Sequence, residues 1–186
     1  MAKFKYNPIT HGLSGSFADL MVFIQRHGKT FLGKIPARSG KVSPDQEIIR
    51  AKFKQAAKYA KASINNPDTK ALYSLKAEGG VTPFNLAFAD FFTPPVVDNI
   101  LTDGYTGVVG SHVVVQATDD TKVTGVHVSI FAAGGNLLEQ GAAVLDTEND
   151  HWIFTTTVAN AVLAGTKIVA VATDLPGNTA STQKLL

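Results

Sequence analysis

Two adjacent prolines near the middle of the chain, in Phe91-Phe92-Thr93-Pro94-Pro95-Val96-Val97, restrict the fold more than any other feature. Each fixes φ and lacks a backbone donor, so neither a helix nor a central strand can run through them. The chain changes character at this joint. Before it come glycine-punctuated strands and then helices; after it come short strands to the end. Residues 1–93 hold 14 Lys/Arg against 6 Asp/Glu, a net charge of +8. Residues 94–186 hold 3 Lys against 9 Asp/Glu, a net of −6. The joint therefore reads as a boundary between a basic domain, 1–93, and an acidic domain, 94–186. Such asymmetry between halves points to a role in binding.

In the basic half, Lys3 to Tyr6 alternates charge and aromatic, as a short edge strand or arm would. His11 to Ser16 follows, with two glycines that suit a tight turn. Leu20–Gln25 and Thr30–Ile35 are apolar runs around Arg26-His27-Gly28-Lys29, which predicts a β-hairpin with Gly28 at positive φ. Gly28-Lys29-Thr30 imitates the end of a phosphate-binding loop, but Phe23 stands where that motif needs glycine. A basic loop with Arg38 and Lys41 leads to Ser43-Pro44-Asp45-Gln46, a helix start with cap, first-turn proline and capping-box glutamine.

That helix should run to Ser63 or Ile64, with Ile49, Phe53, Ala57, Ala60 and Ile64 as its apolar stripe. Arg50, Lys52, Lys54, Lys58 and Lys61 occupy its other faces. Asn66-Pro67 starts a second helix, to about Lys76, burying Leu72, Tyr73 and Leu75. Thr82-Pro83 starts a third, to Phe92. Phe84, Leu86, Phe88, Phe91 and Phe92 lie within nine residues and must pack on something. Phe88, Phe91 and Phe92 are expected to bury against one domain and make the joint semi-rigid.

The acidic half has the rhythm of an all-β domain. Strands are predicted at Val96–Leu101, Ser111–Thr118, Val123–Phe131, Leu137–Ala143, Trp152–Val158, Lys167–Thr173 and Thr179–Leu185. Val113, Val115, Val126, Val128, Ile130, Ile168, Ala170 and Ala172 should face inward, with Trp152 as a core anchor. The turn Ala172-Thr173-Asp174-Leu175-Pro176-Gly177-Asn178, paired with Ala117-Thr118-Asp119-Asp120, resembles bacterial immunoglobulin-like domains, which implies an immunoglobulin-like β-sandwich over 94–186. The order Gly12, Gly15, Val22-Phe23, Gly28-Lys29-Thr30, Pro36, then Gln46, Arg50 and Phe53 resembles the N-terminus of small uncharacterised bacterial proteins. The expected fold is thus an α+β N-terminal domain, hairpin plus helices, followed by that all-β sandwich.

No catalytic signature emerges. With no cysteine there is no disulfide, thiolate metal site or cysteine nucleophile. Ser14 sits one residue short of a nucleophile elbow. His11, His27, His112, His127 and His151 lack metal-like spacing. Asp119, Asp120 and Asp174 are the calcium candidates, but they are fewer carboxylates than calcium usually takes, and Asp also favours turns in its own right. No enzyme and no cofactor is expected.

The leading expectation is a structural or assembly protein that self-associates or decorates a larger particle, phage-like or filamentous. Its interaction residues would be Arg26, Lys29, Arg50, Lys54, Lys58, Lys61, Phe88, Phe91 and Phe92. The alternative is nucleic-acid binding by the basic domain; a further one is a glycan-binding or adhesion module. The sequence shows neither a secretory leader nor a membrane span, so a cytoplasmic origin is expected, with later release inside a particle allowed.

Overall fold

The computed structural model describes residues 2–3, 12–18, 20–35, 40 and 42–186. Phe4 to Tyr6 of the expected arm, His11, Pro36, Arg38 and Lys41 lie outside the described residues. The described chain is mostly β, with three helices and three four-stranded sheets.

The chain divides into two compact units, Met1–Glu47 and Ile48–Leu186. The division expected at Pro94 falls inside the second unit, where the helices are tied to loops of the strands that follow them.

The first unit carries β1 (Ala2–Lys3), β2 (Gly15–Phe17), β3 (Met21–Arg26) and β4 (Lys29–Lys34), in the order β1-β4-β3-β2. The hairpin is there, with strands closer to the turn than expected. His27 and Gly28 have φ of 50° and 70°, the two positive values of a two-residue turn that matches strand twist. Only those two residues leave the ladder, so Arg26 pairs directly with Lys29.

Three helices follow: α1 (Pro44–Asn65), α2 (Pro67–Leu75) and α3 (Pro83–Asp90). All three open on a polar cap followed by proline. Gln46 N donates to Ser43 Oγ while Ser43 N donates to Gln46 Oε1, both at 3.3 Å. Asp68 N donates to Asn66 Oδ1 at 2.9 Å, and Asn85 N to Thr82 Oγ1 at 3.3 Å. Each cap supplies an acceptor for an otherwise orphaned N–H, so the starts are well defined by sequence.

The double sheet comprises β5 (Val96–Leu101), β6 (His112–Thr118), β7 (Val123–Phe131), β8 (Leu137–Ala142), β9 (Val144–Asp146), β10 (His151–Thr155), β11 (Lys167–Asp174) and β12 (Thr179–Leu185). One sheet runs β5-β6-β10-β9 and the other β12-β11-β7-β8. Alternation puts Val113, Val115, Val126, Val128, Ile130, Ile168, Ala170 and Ala172 in one shared core, with Trp152 and Phe154. Gly141 of β8 leaves room for the Phe154 ring, which would lie 3.0 Å from an added Cβ. β9 was not anticipated; three residues are too few to show a period of two.

The apolar stripe of α1 is buried over only part of its length. Ala56, Ala60 and Ser63 are buried, but Ile49 and Phe53 are 54% and 52% exposed. The N-terminal half of α1 runs past the cluster of Ala60, Tyr73 and Ala87 that closes the helices. Leu75, expected inside, is exposed at the last turn of α2. Among the described residues no helix is long and apolar enough to cross a membrane.

Candidate interaction site

Arg50, Lys54, Lys58 and Lys61 are all exposed on α1. Their spacing of four, four and three residues puts them on one stripe. Ile49 and Phe53, one position before Arg50 and Lys54, form the neighbouring stripe. The exposed part of α1 therefore presents apolar and basic side chains next to each other.

Phe53 is the hinge of an aromatic ledge. Its ring centroid lies 5.5 Å from that of Phe88 and 5.3 Å from that of Phe92. Phe88 and Phe92 are 5.7 Å apart, and Phe84 stacks on Phe88 at 6.3 Å. These are the separations at which tilted and offset rings attract. Phe91 turns the other way, 5.8 Å from Tyr59 and edge-on to Phe92. Phe88 and Phe91 are half-buried, but Phe92 is 43% and Phe84 39% exposed. The expectation that all three joint phenylalanines bury thus fails for Phe92, which packs on Phe53, Phe88 and Phe91 yet stays exposed.

The joint itself is held by hydrogen bonds. Asp90, the last residue of α3, is buried, and its Oδ2 accepts from the Tyr73 hydroxyl at 2.6 Å. Tyr73 has one proton to give, so at the 2.8 Å contact between the two tyrosines Tyr59 is the donor. Burial raises the Asp90 carboxyl above the usual range; the Tyr73 bond opposes this and nearby Asp119 and Asp174 add to it. Burial, then the bond to Asp90, holds the Tyr73 phenol protonated well above its ordinary range. Asn178 Nδ2, in the β11–β12 turn, reaches the Asp90 carbonyl at 3.3 Å, and Leu175 packs on the helix cluster. Lys76 Nζ donates to the Asp120 carbonyl. Helices and double sheet are therefore joined through the β6–β7 and β11–β12 loops.

Asp119 and Asp120 in the first of those loops and Asp174 at the end of β11 are the three calcium candidates, and the carboxylates of Asp119 and Asp174 are largely engaged. Asp119 Oδ2 accepts from Thr121 N and Lys122 N, each at 2.8 Å. Asp174 Oδ1 accepts from Gly177 N and Asn178 N, and its Oδ2 from Asn178 Nδ2. Both residues are closing their own turns. The Asp120 side chain is exposed. Among the described residues no group of three or more His, Asp or Glu is arranged to hold a metal. The histidines make separate contacts, His112 with Thr155 and His151 with Gln116, each at 3.2 Å.

Arg26 and Lys29 stand opposite each other at the hairpin tip in the first unit, both exposed. Two like charges across a strand pair repel, so an anionic partner would relieve them. They belong to a different unit from the α1 stripe.

One surface was missed in the sequence. Ala142, Val144, Leu145, Ile153 and Thr155, with Asp146, line a concavity of about 400 Å³ at β9. Val144 is 73% exposed. Beside it the β9–β10 turn carries Asp146, Glu148 and Asp150. Asp146 accepts from Glu148 N at 3.1 Å and Asn149 Nδ2 at 2.9 Å, and these bonds hold its carboxyl below the usual range. The run Asp146-Thr147-Glu148-Asn149-Asp150 was the available signal.

No protein-family model matches the chain, and no curated protein matches it in sequence. Among solved structures, it is similar to an engineered protein whose crystal structure was determined at 1.98 Å, with 22% identity and a TM-score of 0.33. That alignment covers 55% of this chain and 26% of the engineered one.

Proposed function

We propose that the protein is a non-enzymatic structural or assembly protein. It self-associates or decorates a larger particle, phage-like or filamentous, through a basic N-terminal module and an acidic immunoglobulin-like module. The observation that carries this reading is the aromatic ledge. Phe53, Phe84 and Phe92 stay exposed together, with Ile49, beside a basic stripe. Burying the remaining half of one such ring contributes about 1 kcal/mol, and a contiguous apolar patch of this kind is characteristic of contact surfaces.

The immunoglobulin-like reading is supported by the strand orders. Lettered in chain order from β5, the sheets read A-B-E-D and G-F-C-C′, the arrangement of that sandwich class with one added strand. Trp152 lies on the E-equivalent strand, not on C, so the antibody pattern of core residues is not reproduced.

Negative-stain microscopy of the purified full chain at low salt tests the proposal. Repeating particles or filaments are expected. A field of isolated, monomer-sized particles at every concentration contradicts it.

The basic stripe on α1 favours nucleic acid as the second reading. It would appear as a mobility shift of the full chain with duplex or single-stranded nucleic acid that weakens steeply as salt rises.

A further inference from the structure

The ledge and the β9 concavity are unlike surfaces with matching chemistry. The ledge is apolar, through Ile49, Phe53 and Phe92, and is flanked by Arg50 and Lys54. The concavity is apolar, through Val144, Leu145 and Ile153, with Asp146 in its lining and Glu148 and Asp150 exposed in the turn that follows. We infer that the ledge of one copy seats in the β9 concavity of the next copy, which makes the contact between copies heterologous.

This rests on the assembly reading above and gives it a specific contact. Complementary potentials would set register and favour encounter, while the apolar pair supplies the contact energy. Both surfaces belong to the same compact unit, Ile48–Leu186. Phe92 lies four residues before β5, at one edge of the sheet ordered β5-β6-β10-β9. β9 forms the opposite edge, three strand spacings away, or about 14 Å. One copy can therefore use both surfaces at once. A heterologous contact of this kind propagates into a ring or an open filament and does not stop at a dimer.

The hydrogen bonds at Asp146 prepare the acidic side. They fix the turn that carries the exposed Glu148 and Asp150, beyond Asp146 at the end of β9. A preset turn lowers the ordering cost of the contact.

The test uses two full-length variants followed by sedimentation velocity at about 50 mM salt, where charge pairs are little screened. Phe53→Ser with Lys54→Glu disables the ledge alone. Val144→Lys with Glu148→Lys disables the concavity alone. Each variant by itself is expected to lose assembly by at least about tenfold in concentration. An equimolar mixture should form one-to-one dimers and nothing larger, because each dimer joins the one good ledge to the one good concavity.

Unaltered assembly of both variants overturns the inference while leaving the assembly reading intact. So does a mixture that stays monomeric. A wild-type chain that is monomeric throughout overturns both. If the apolar changes impair folding, the charge-only exchange decides. Lys54→Glu and Glu148→Lys should each weaken assembly, and the two together in one chain should restore it; no restoration overturns the pairing.

Discussion

The Tyr73 hydroxyl donates to Asp90 Oδ2 at 2.6 Å, and Asp90 is almost wholly buried where the helices meet the loops of the double sheet. By geometry its other oxygen, Oδ1, and Oδ1 of nearby Asp119 lack a hydrogen-bond partner among the described residues, while the Thr121 side chain beside Asp90 favours the charged form less than burial disfavours it. A carboxyl in that position favours its protonated form.

The native state binds the Asp90 proton more tightly than the unfolded chain does. This stabilisation is fully present below the unfolded carboxylate value, about 4, and is lost as pH rises through the raised native value. Asp90→Asn keeps an acceptor for Tyr73 and removes the charge facing Asp119 and Asp174. Thermal melts of the variant should show a flatter profile than wild type across that window and equal or higher stability at neutral pH. A steeper profile would contradict this.

Tyr73→Phe leaves Asp90 Oδ2 without its donor and Tyr59 without its acceptor. Urea unfolding should show a loss of about 1–3 kcal/mol, the usual cost of stranding a buried polar group. Tyr59→Phe should cost less, since Tyr59 is only half-buried and Asp90 keeps its bond.

Gly107→Ala should be among the most damaging single changes in the double sheet. Gly107 has φ of +80°, and an added Cβ would lie 2.3 Å from the Asn160 carbonyl oxygen. The clash is with backbone, so no rotamer relieves it. A loss of about 2 kcal/mol or more is expected from strain at positive φ plus the displaced loop, measured by chemical unfolding. A change under about 0.5 kcal/mol, typical of an open surface position, would show that the loop yields freely.

Calcium at about 1 mM, within the range that extracellular modules bind, should leave the melting temperature unchanged. Asp174 uses both oxygens and Asp119 uses one in closing their turns. A clear rise in melting temperature, reversed by chelation, would show that the two unpartnered oxygens hold a cation.

Much of the architecture was legible because it rests on local chemistry. Cap-proline pairs at Ser43, Asn66 and Thr82 placed three helix starts, and alternation placed the inward residues of β6, β7, β10 and β11. The limits of that reading are equally physical. Periodicity marks Ile49 and Phe53 as one stripe with Ala60, but says nothing of where the packing partner ends. The joint at Pro94 breaks the chain locally, yet Asp90, Leu175 and Asn178 tie its two sides together, and the Asp90–Asn178 contact spans 88 residues of sequence. Of the expected interaction residues, the α1 stripe and the phenylalanines of α3 and its C-terminal end meet at Phe53 of α1. Arg26 and Lys29 lie apart in the first unit. The β9 surface was hidden because its apolar residues come from three separate strands.

We propose that this chain assembles with copies of itself through charged and apolar contact. Light scattering of the purified full chain tests it most directly, over a concentration series at about 50 mM and about 1 M salt, either side of strong screening. The molar mass should rise with concentration at low salt and fall back toward 19.7 kDa at high salt. A mass that stays at the monomer value at every concentration in the low-salt series would contradict self-association.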